Sequence, residues 1–201
     1  MSHETRPYRK RRRAEAEEAT RRRITESAVA LHGTRGPSRT SMSAVAEHAG
    51  VQRSTLYRHF PDEGALLDAC TAHWAAANPL PDLETWAAVA EPDARLRTAL
   101  TEMYAFYGRN EQMLGNLLRD EPAMPLVQQH FRPFREYLQA ARDVLLAGRR
   151  MRGEARERTA AAIGHALSFP TWRSLVREQG LDQAQAVALL CRLVAAAGGR
   201  D

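Results

Sequence analysis

The chain has 201 residues, 44% of them apolar, with 29 Lys/Arg against 24 Asp/Glu for a formal charge of +5. That length carries one core, or a small head with a larger body. No apolar run reaches the roughly 20 residues that span a bilayer, and the basic N-terminus lacks the apolar stretch of a signal peptide. The only cysteines, Cys70 and Cys191, are too few and too far apart for a disulfide framework, so a reducing cytoplasm is the expected location.

The charge is uneven. Residues 1–60 hold thirteen Lys/Arg and six Asp/Glu, a net of +7, and the remainder nets −2. A basic head on a near-neutral body suits a nucleic-acid binder, although a basic tail that only aids solubility has the same count. Ala, Leu, Arg and Glu are abundant and β-branched residues sparse, which predicts an all-α fold.

Arg6 and Arg9-Lys10-Arg11-Arg12-Arg13 form an arm over residues 1–13 with almost no apolar content, expected to be disordered in free solution. Such an arm can follow phosphates or enter a narrow minor groove, and it has no apolar face to insert into a membrane. A first helix is expected over 14–32, with Ile24, Ala28 and Leu31 at helical spacing and Gly33 and Gly36 ending it. Ser41 is a good N-cap for a short second helix striped by Met42, Val45, Ala46 and Ala49. Gly50 breaks it, and a third helix runs from about Gln52 to His59. A fourth opens at Pro61-Asp62 and carries Leu66, Leu67 and Cys70 toward Trp74.

Two short helices joined at Ala49-Gly50-Val51 make a helix-turn-helix pattern. Small Ala46 and Ala49 allow close packing, and Gly50 can take the positive φ of the turn. Val51 and Leu56 face inward, which leaves Arg53, Ser54, Tyr57 and Arg58 outside.

Pro79, Pro81 and Pro92 mark a connector with one short helical turn near Trp86. The body follows. Leu96, Leu100, Met103, Tyr104 and Tyr107 stripe one helix; Met113, Leu114, Leu117 and Leu118 stripe a shorter one. Val127 to Leu145 stripes a third, with a kink or broken start expected at Pro133. A helix over about 154–178 should bend at Pro170. Gly180 and Asp182 should end it and cap a last helix over 183–197. That last helix is apolar on most faces, and a second subunit is the economical cover.

The stretch "SMSAVAEHAGVQRSTLYRHFPDEGALLDA" resembles the DNA-binding head of the TetR family of bacterial transcriptional regulators. The detailed match covers residues 41–67: a Ser cap, Val-Ala and Ala-Gly-Val in the first helix and turn, then Thr-Leu-Tyr, His-Phe and Leu-Leu. The ending "ALSFPTWRSLVREQGLDQAQAV" is similar to the closing helix pair of many members. The resemblance implies an N-terminal three-helix head and a C-terminal ligand-binding and dimerisation body, about nine helices in all. The implied divisions are the arm 1–13, a head with its connecting fourth helix at 14–75, and a body at 76–201.

The resemblance further implies that Arg53 and Ser54 meet base edges. It gives Thr55, Tyr57 and His59 to phosphate or helix orientation, and Ser41 to capping and phosphate. Ser43, Gln52 and Arg58 complete the expected DNA-binding set. Arg can bond bidentately to guanine, and hydroxyls and imidazole suit phosphate. Three residues depart from the family pattern: Gln52 replaces a capping Ser, Ser54 a small residue, and Glu63 a Lys commonly near phosphate.

In the body the resemblance implies an unidentified small-molecule effector among Trp74, Met103, Tyr104, Tyr107, Met113, Phe131 and Phe134, a stripe that also suits a plain core. It implies a homodimer through Leu167, Trp172, Leu175, Val187, Leu190, Cys191 and Val194. No phosphate-binding loop, nucleophile elbow or metal-ligand spacing occurs, so no catalytic residue, metal or cofactor is expected. The expected function is an operator-binding repressor released by its effector; a helical ligand-binding protein or a ligand-dependent activator is the alternative.

Overall fold

The computed structural model describes residues 5–199. Among them are ten α-helices and no strand: α1 (Thr5–Thr34), α2 (Met42–His48), α3 (Arg53–His59), α4 (Glu63–Ala77), α5 (Leu83–Ala87), α6 (Pro92–Asp120), α7 (Pro125–Leu146), α8 (Gly153–Ala166), α9 (Phe169–Arg173) and α10 (Gln183–Gly198). They divide into two compact units. The first contains residues up to Ala77 together with Gly115–His130; the second contains Asn78–Leu114 and the chain from Phe131 on. Residues 115–130, expected in the body, thus pack with the head.

Several elements differ from expectation for local reasons. The arm is helical from Thr5 as a continuation of α1, where Arg11–Glu15 and Arg13–Glu17 pair one turn apart at 2.9 and 3.3 Å. Residues 1–4 and the side chains of Arg6 and Arg9 lie outside the described residues. The two helices expected over 96–118 are one, α6, which runs on through Gly108 with no proline to interrupt it. The helix expected over 154–178 is two. Ser168 caps α9 by accepting from Thr171 N, and Pro170 sits in its first turn, where no N–H is needed. A π turn, Ser174–Glu178, follows directly. Pro133 lies inside α7, which starts earlier, at Pro125. The Gln129 carbonyl that Pro133 cannot bond sits on an exposed residue, where water can serve it.

The head has one core. Ile24, Ala28 and Leu31 of α1 meet Met42, Val45, Ala46 and Ala49 around α2, Leu56 and Phe60 around α3, and Leu66 and Cys70 of α4. Burial pushes the Cys70 thiol up to about 12, as expected for a packing cysteine rather than a sensor. His130, at the start of α7, bonds Asp68 of α4 at 2.7 Å.

A polar latch also belongs to this unit. Asn116 Nδ2 donates to the carbonyls of His32 and Gly33 at 3.1 and 2.6 Å. Arg119 donates to Asn116 Oδ1 and to the Arg35 carbonyl, both at 2.8 Å, and pairs with Asp120. Asp120 accepts from Ser38 N at 3.0 Å. The last residues of α6 therefore hold the loop that leads into α2. Gly36 is required here: its φ is +93°, and a Cβ would lie 2.1 Å from Arg119 Nη2 and 2.5 Å from Asp120 Oδ2.

His32 closes the buried face of α1. Burial lowers its pKa from 6.5 to about 4, and the Asp120 charge opposes the shift. The folded state therefore binds fewer protons than the unfolded chain between those values. This contribution is complete above about pH 6.5 and declines as pH falls toward 4, by up to roughly 3 kcal/mol. Urea unfolding at pH 7 and pH 5 should show that loss, and His32→Gln should flatten the difference.

Candidate nucleic-acid interface

Local chemistry sets the helix pair. Ser41 caps α2 by accepting from Ala44 N at 3.2 Å. Gly50 turns the chain at φ +64° with no atom within 4 Å of where a Cβ would sit, so the backbone conformation alone calls for glycine. Val51 N then bonds the Ala46 carbonyl at 2.9 Å. Gln52 is the N-cap of α3 and makes no side-chain capping bond, so the departure from Ser leaves that end uncapped. Leu56 and Phe60 are fully buried and fix which face of α3 looks inward.

The opposite face is open. Gln52, Arg53, Ser54, Tyr57 and Arg58 are exposed, Tyr57 at 40%. Ser41 is exposed beside them, and Ser43 and Thr55 are half-buried. His59 is half-buried, and its Nε2 is shielded from solvent with no partner among the described residues. The open face is a convex, cation-bearing helix surface with hydroxyls, and it suits a groove of duplex DNA.

Arg21 went unrecognised in the sequence, where it reads as part of a solvated Arg21–Arg23 run. Its Nη1 donates to the His59 carbonyl at 2.8 Å, and its guanidinium lies 4.3 Å from the Phe60 ring centroid. It holds the last turn of α3. The available signal was its register: Arg21 stands three residues before Ile24 and seven before Ala28, on the core face of α1. The acidic pair also has a local account. Asp62 Oδ1 accepts from Ala65 N at 2.8 Å and caps α4, and Glu63 is the first residue of that helix.

The expected effector residues are split between the units. Trp74 lies on α4 of the first unit and is half-buried; the others belong to the second. Met103, Tyr104 and Tyr107 are sealed in the core of that unit. The Tyr104 hydroxyl donates to the Ala166 carbonyl at 3.1 Å and the Tyr107 hydroxyl to that of Leu167, and burial raises the pKa of both. They act as packing residues whose polar ends are already satisfied. Phe131 is buried, Phe134 and Met113 half-buried; Phe131 and Phe134 lie 5.1 Å apart between ring centroids. The buried indole Nε1 of Trp172 meets no acceptor among the described residues.

The residues expected at a dimer contact divide by burial. Leu167, Trp172, Val187, Leu190 and Val194 are buried within a single chain, where α8 and α10 pack together. Leu175 and Cys191 are half-buried. The apolar residue that α10 leaves outside is Leu193, 52% exposed, one turn beyond half-buried Leu189.

Residues 24–70 match the family model described as bacterial regulatory proteins, tetR family. The fold is shared with solved bacterial regulators at low identity. A TetR-like transcriptional regulator from Rhodococcus sp. is 20% identical with a TM-score of 0.64, covering 88% of this chain and 93% of its own. HlyIIR, a hemolysin II transcriptional regulator, is 20% identical with a TM-score of 0.63, covering 92% and 99%. A tetR-family transcriptional regulator from Streptomyces coelicolor is 20% identical with a TM-score of 0.61, covering 90% and 80%. No curated protein matches the chain in sequence.

Replacing Arg21 removes a charged hydrogen bond and a cation–ring contact from the end of α3. Arg21→Leu should cost about 1–3 kcal/mol of stability. Denaturant titration measures that cost, and hydrogen exchange should quicken at the amides of Leu56 to Phe60 more than at those of α4.

Proposed function

We propose that this chain, whose head is a tetR-family N-terminal domain and whose fold is that of TetR-type regulators, is a repressor that binds a near-palindromic operator as a homodimer. A small molecule bound in the second unit releases it. The carrying observation is the outward face of α3, where Arg53, Ser54, Tyr57 and Arg58 stand exposed over buried Leu56 and Phe60. Arg53 reads a base edge, Tyr57 and the Ser41 and Thr55 hydroxyls serve phosphates, and Arg21 keeps the helix aligned. The net +7 of residues 1–60 supports attraction to DNA. No helix among the described residues is long and apolar enough to cross a membrane, and we assign the protein to the cytoplasm.

Leu189 and Leu193 are our proposed centre of the dimer contact, because Leu193 is the exposed large apolar side chain of α10 and half-buried Leu189 stands one turn before it. Two-fold symmetry of the protein then sets the symmetry of the operator. For the effector, the supporting observation is the unpaired Nε1 of Trp172 in an aromatic core, which a ligand bearing an acceptor would complete. Such a ligand acts only if it binds the released state more tightly than the DNA-competent one. A ligand-dependent activator has the same parts; a reporter placed behind the operator, with and without the gene, tells the two apart.

Duplexes selected from a random pool should converge on a two-fold sequence. Arg53→Ala should weaken binding by about 1–3 kcal/mol and relax preference at one base position in each half-site; equal affinity for all sequences in both proteins refutes base reading. Leu193→Glu should yield monomers by analytical ultracentrifugation with helix content retained, and should bind the full operator far more weakly than wild type.

A further inference from the structure

The functions assigned so far leave the first half of α1 without a role. Tyr8 is exposed, and so is every residue from Lys10 to Ala19, whereas Ile24, Ala28 and Leu31 anchor the second half in the head core. At about 1.5 Å per residue the stretch from Tyr8 to Ala19 is roughly 18 Å long. That is about five base-pair steps of duplex at 3.4 Å each. The stretch ends two residues before Arg21, whose guanidinium donates to the carbonyl of His59, the last residue of α3. Arm and recognition helix thus share one end of the head.

Four cations, Lys10 to Arg13, follow one another on this arm, and they are not equivalent. Arg11 and Arg13 are paired with Glu15 and Glu17 at 2.9 and 3.3 Å. No carboxylate among the described residues pairs with Lys10 or Arg12; Arg12 lies 5.8 Å from the Tyr8 ring centroid. The stretch from Tyr8 to Ala19 has no large apolar side chain other than Tyr8, so it has nothing to insert into a lipid surface. A helix about 10–12 Å across with its side chains does not enter a minor groove about 6 Å wide, which removes the groove-threading role open to a disordered arm.

We propose that the helical arm lies along the phosphate backbone of duplex DNA flanking the half-site, and that Glu15 and Glu17 limit its grip by holding Arg11 and Arg13. The proposal rests on the duplex-binding function given above. The arm adds affinity without reading sequence, because phosphates carry none. Lys10 and Arg12 are its working cations, and two more are released when the acids are neutralised.

The test compares two duplexes for the full chain: the selected operator alone, and the same operator extended at both ends by about six base pairs, slightly more than the arm's reach. Extension should raise wild-type affinity several-fold, equally with A·T or G·C flanks. The variant with Lys10, Arg11, Arg12 and Arg13 all changed to Gln should lose that gain and keep its affinity for the short duplex. Its salt slope on the long duplex should fall by about 2, at roughly 0.9 per phosphate released. Glu15→Gln with Glu17→Gln should tighten binding to the long duplex and steepen its slope. Gln retains good helix propensity, so α1 is kept. No gain on extension, or a gain that the quadruple variant keeps, overturns the arm proposal while the DNA-binding function stands. A gain confined to A·T flanks overturns backbone contact in favour of the minor groove. Failure of wild type to bind any selected duplex overturns the DNA-binding function itself.

Discussion

The head depends on the latch that Asn116, Arg119 and Asp120 make with residues 32–38. Asn116 and Asp120 are buried, 8% and 4% exposed, while the Arg119 side chain is 43% exposed. A buried carboxylate and amide are costly unless their bonding capacity is used. Here it is shared between the Arg119 side chain and backbone groups at the end of α1 and in the loop that follows: the His32 and Gly33 carbonyls and the Ser38 amide. Burial alone would raise the Asp120 pKa; the bonds from Arg119 and Ser38 and the Arg119 charge together outweigh it and hold the carboxyl ionised. Because the loop's carbonyls and the Ser38 amide are the partners, the latch dictates a backbone path. Only a glycine at 36 fits it, and that path sets where Ser41 can begin α2. The placement of the helix pair thus follows from residues more than eighty positions further on.

This arrangement gives α6 two roles in one chain. Its Leu96, Leu100, Met103, Tyr104 and Tyr107 are core of the second unit, and its residues from Gly115 on belong to the first.

The sequence made the head legible because its signals are local. A Ser cap, small residues at a close helix crossing, a glycine at positive φ and an apolar stripe are each written within a few residues of the feature they produce. Asp182 with Gln185 shows the same: the expected cap is there, with a full capping box. The failures were of two physical kinds. Where two helix signals compete, sequence order does not rank them: Ser168 and Pro170 together start a helix, although Pro170 alone reads as a bend. Where the partner is distant in sequence, no periodicity reveals it. Arg21 to His59, Asn116 to Gly33 and Asp120 to Ser38 are such pairs.

The closing helix shows why surfaces are harder than cores. Ala186, Val187, Leu190 and Val194 on one side of α10, and Leu189 and Leu193 on another, are all apolar, so the pattern calls for cover on both sides without saying which side the chain covers itself. The structure turns the first set inward and leaves Leu193 half in solvent. Trp172 illustrates the same ambiguity. Its place in the closing helix pair suggests an interface, yet it is fully enclosed by its own chain beside Tyr107 and Phe169, with ring centroids 6.0 and 5.3 Å away. Enclosure leaves the Trp172 Nε1 without an acceptor among the described residues, so burial of this ring gains apolar contact at the cost of an unmade hydrogen bond.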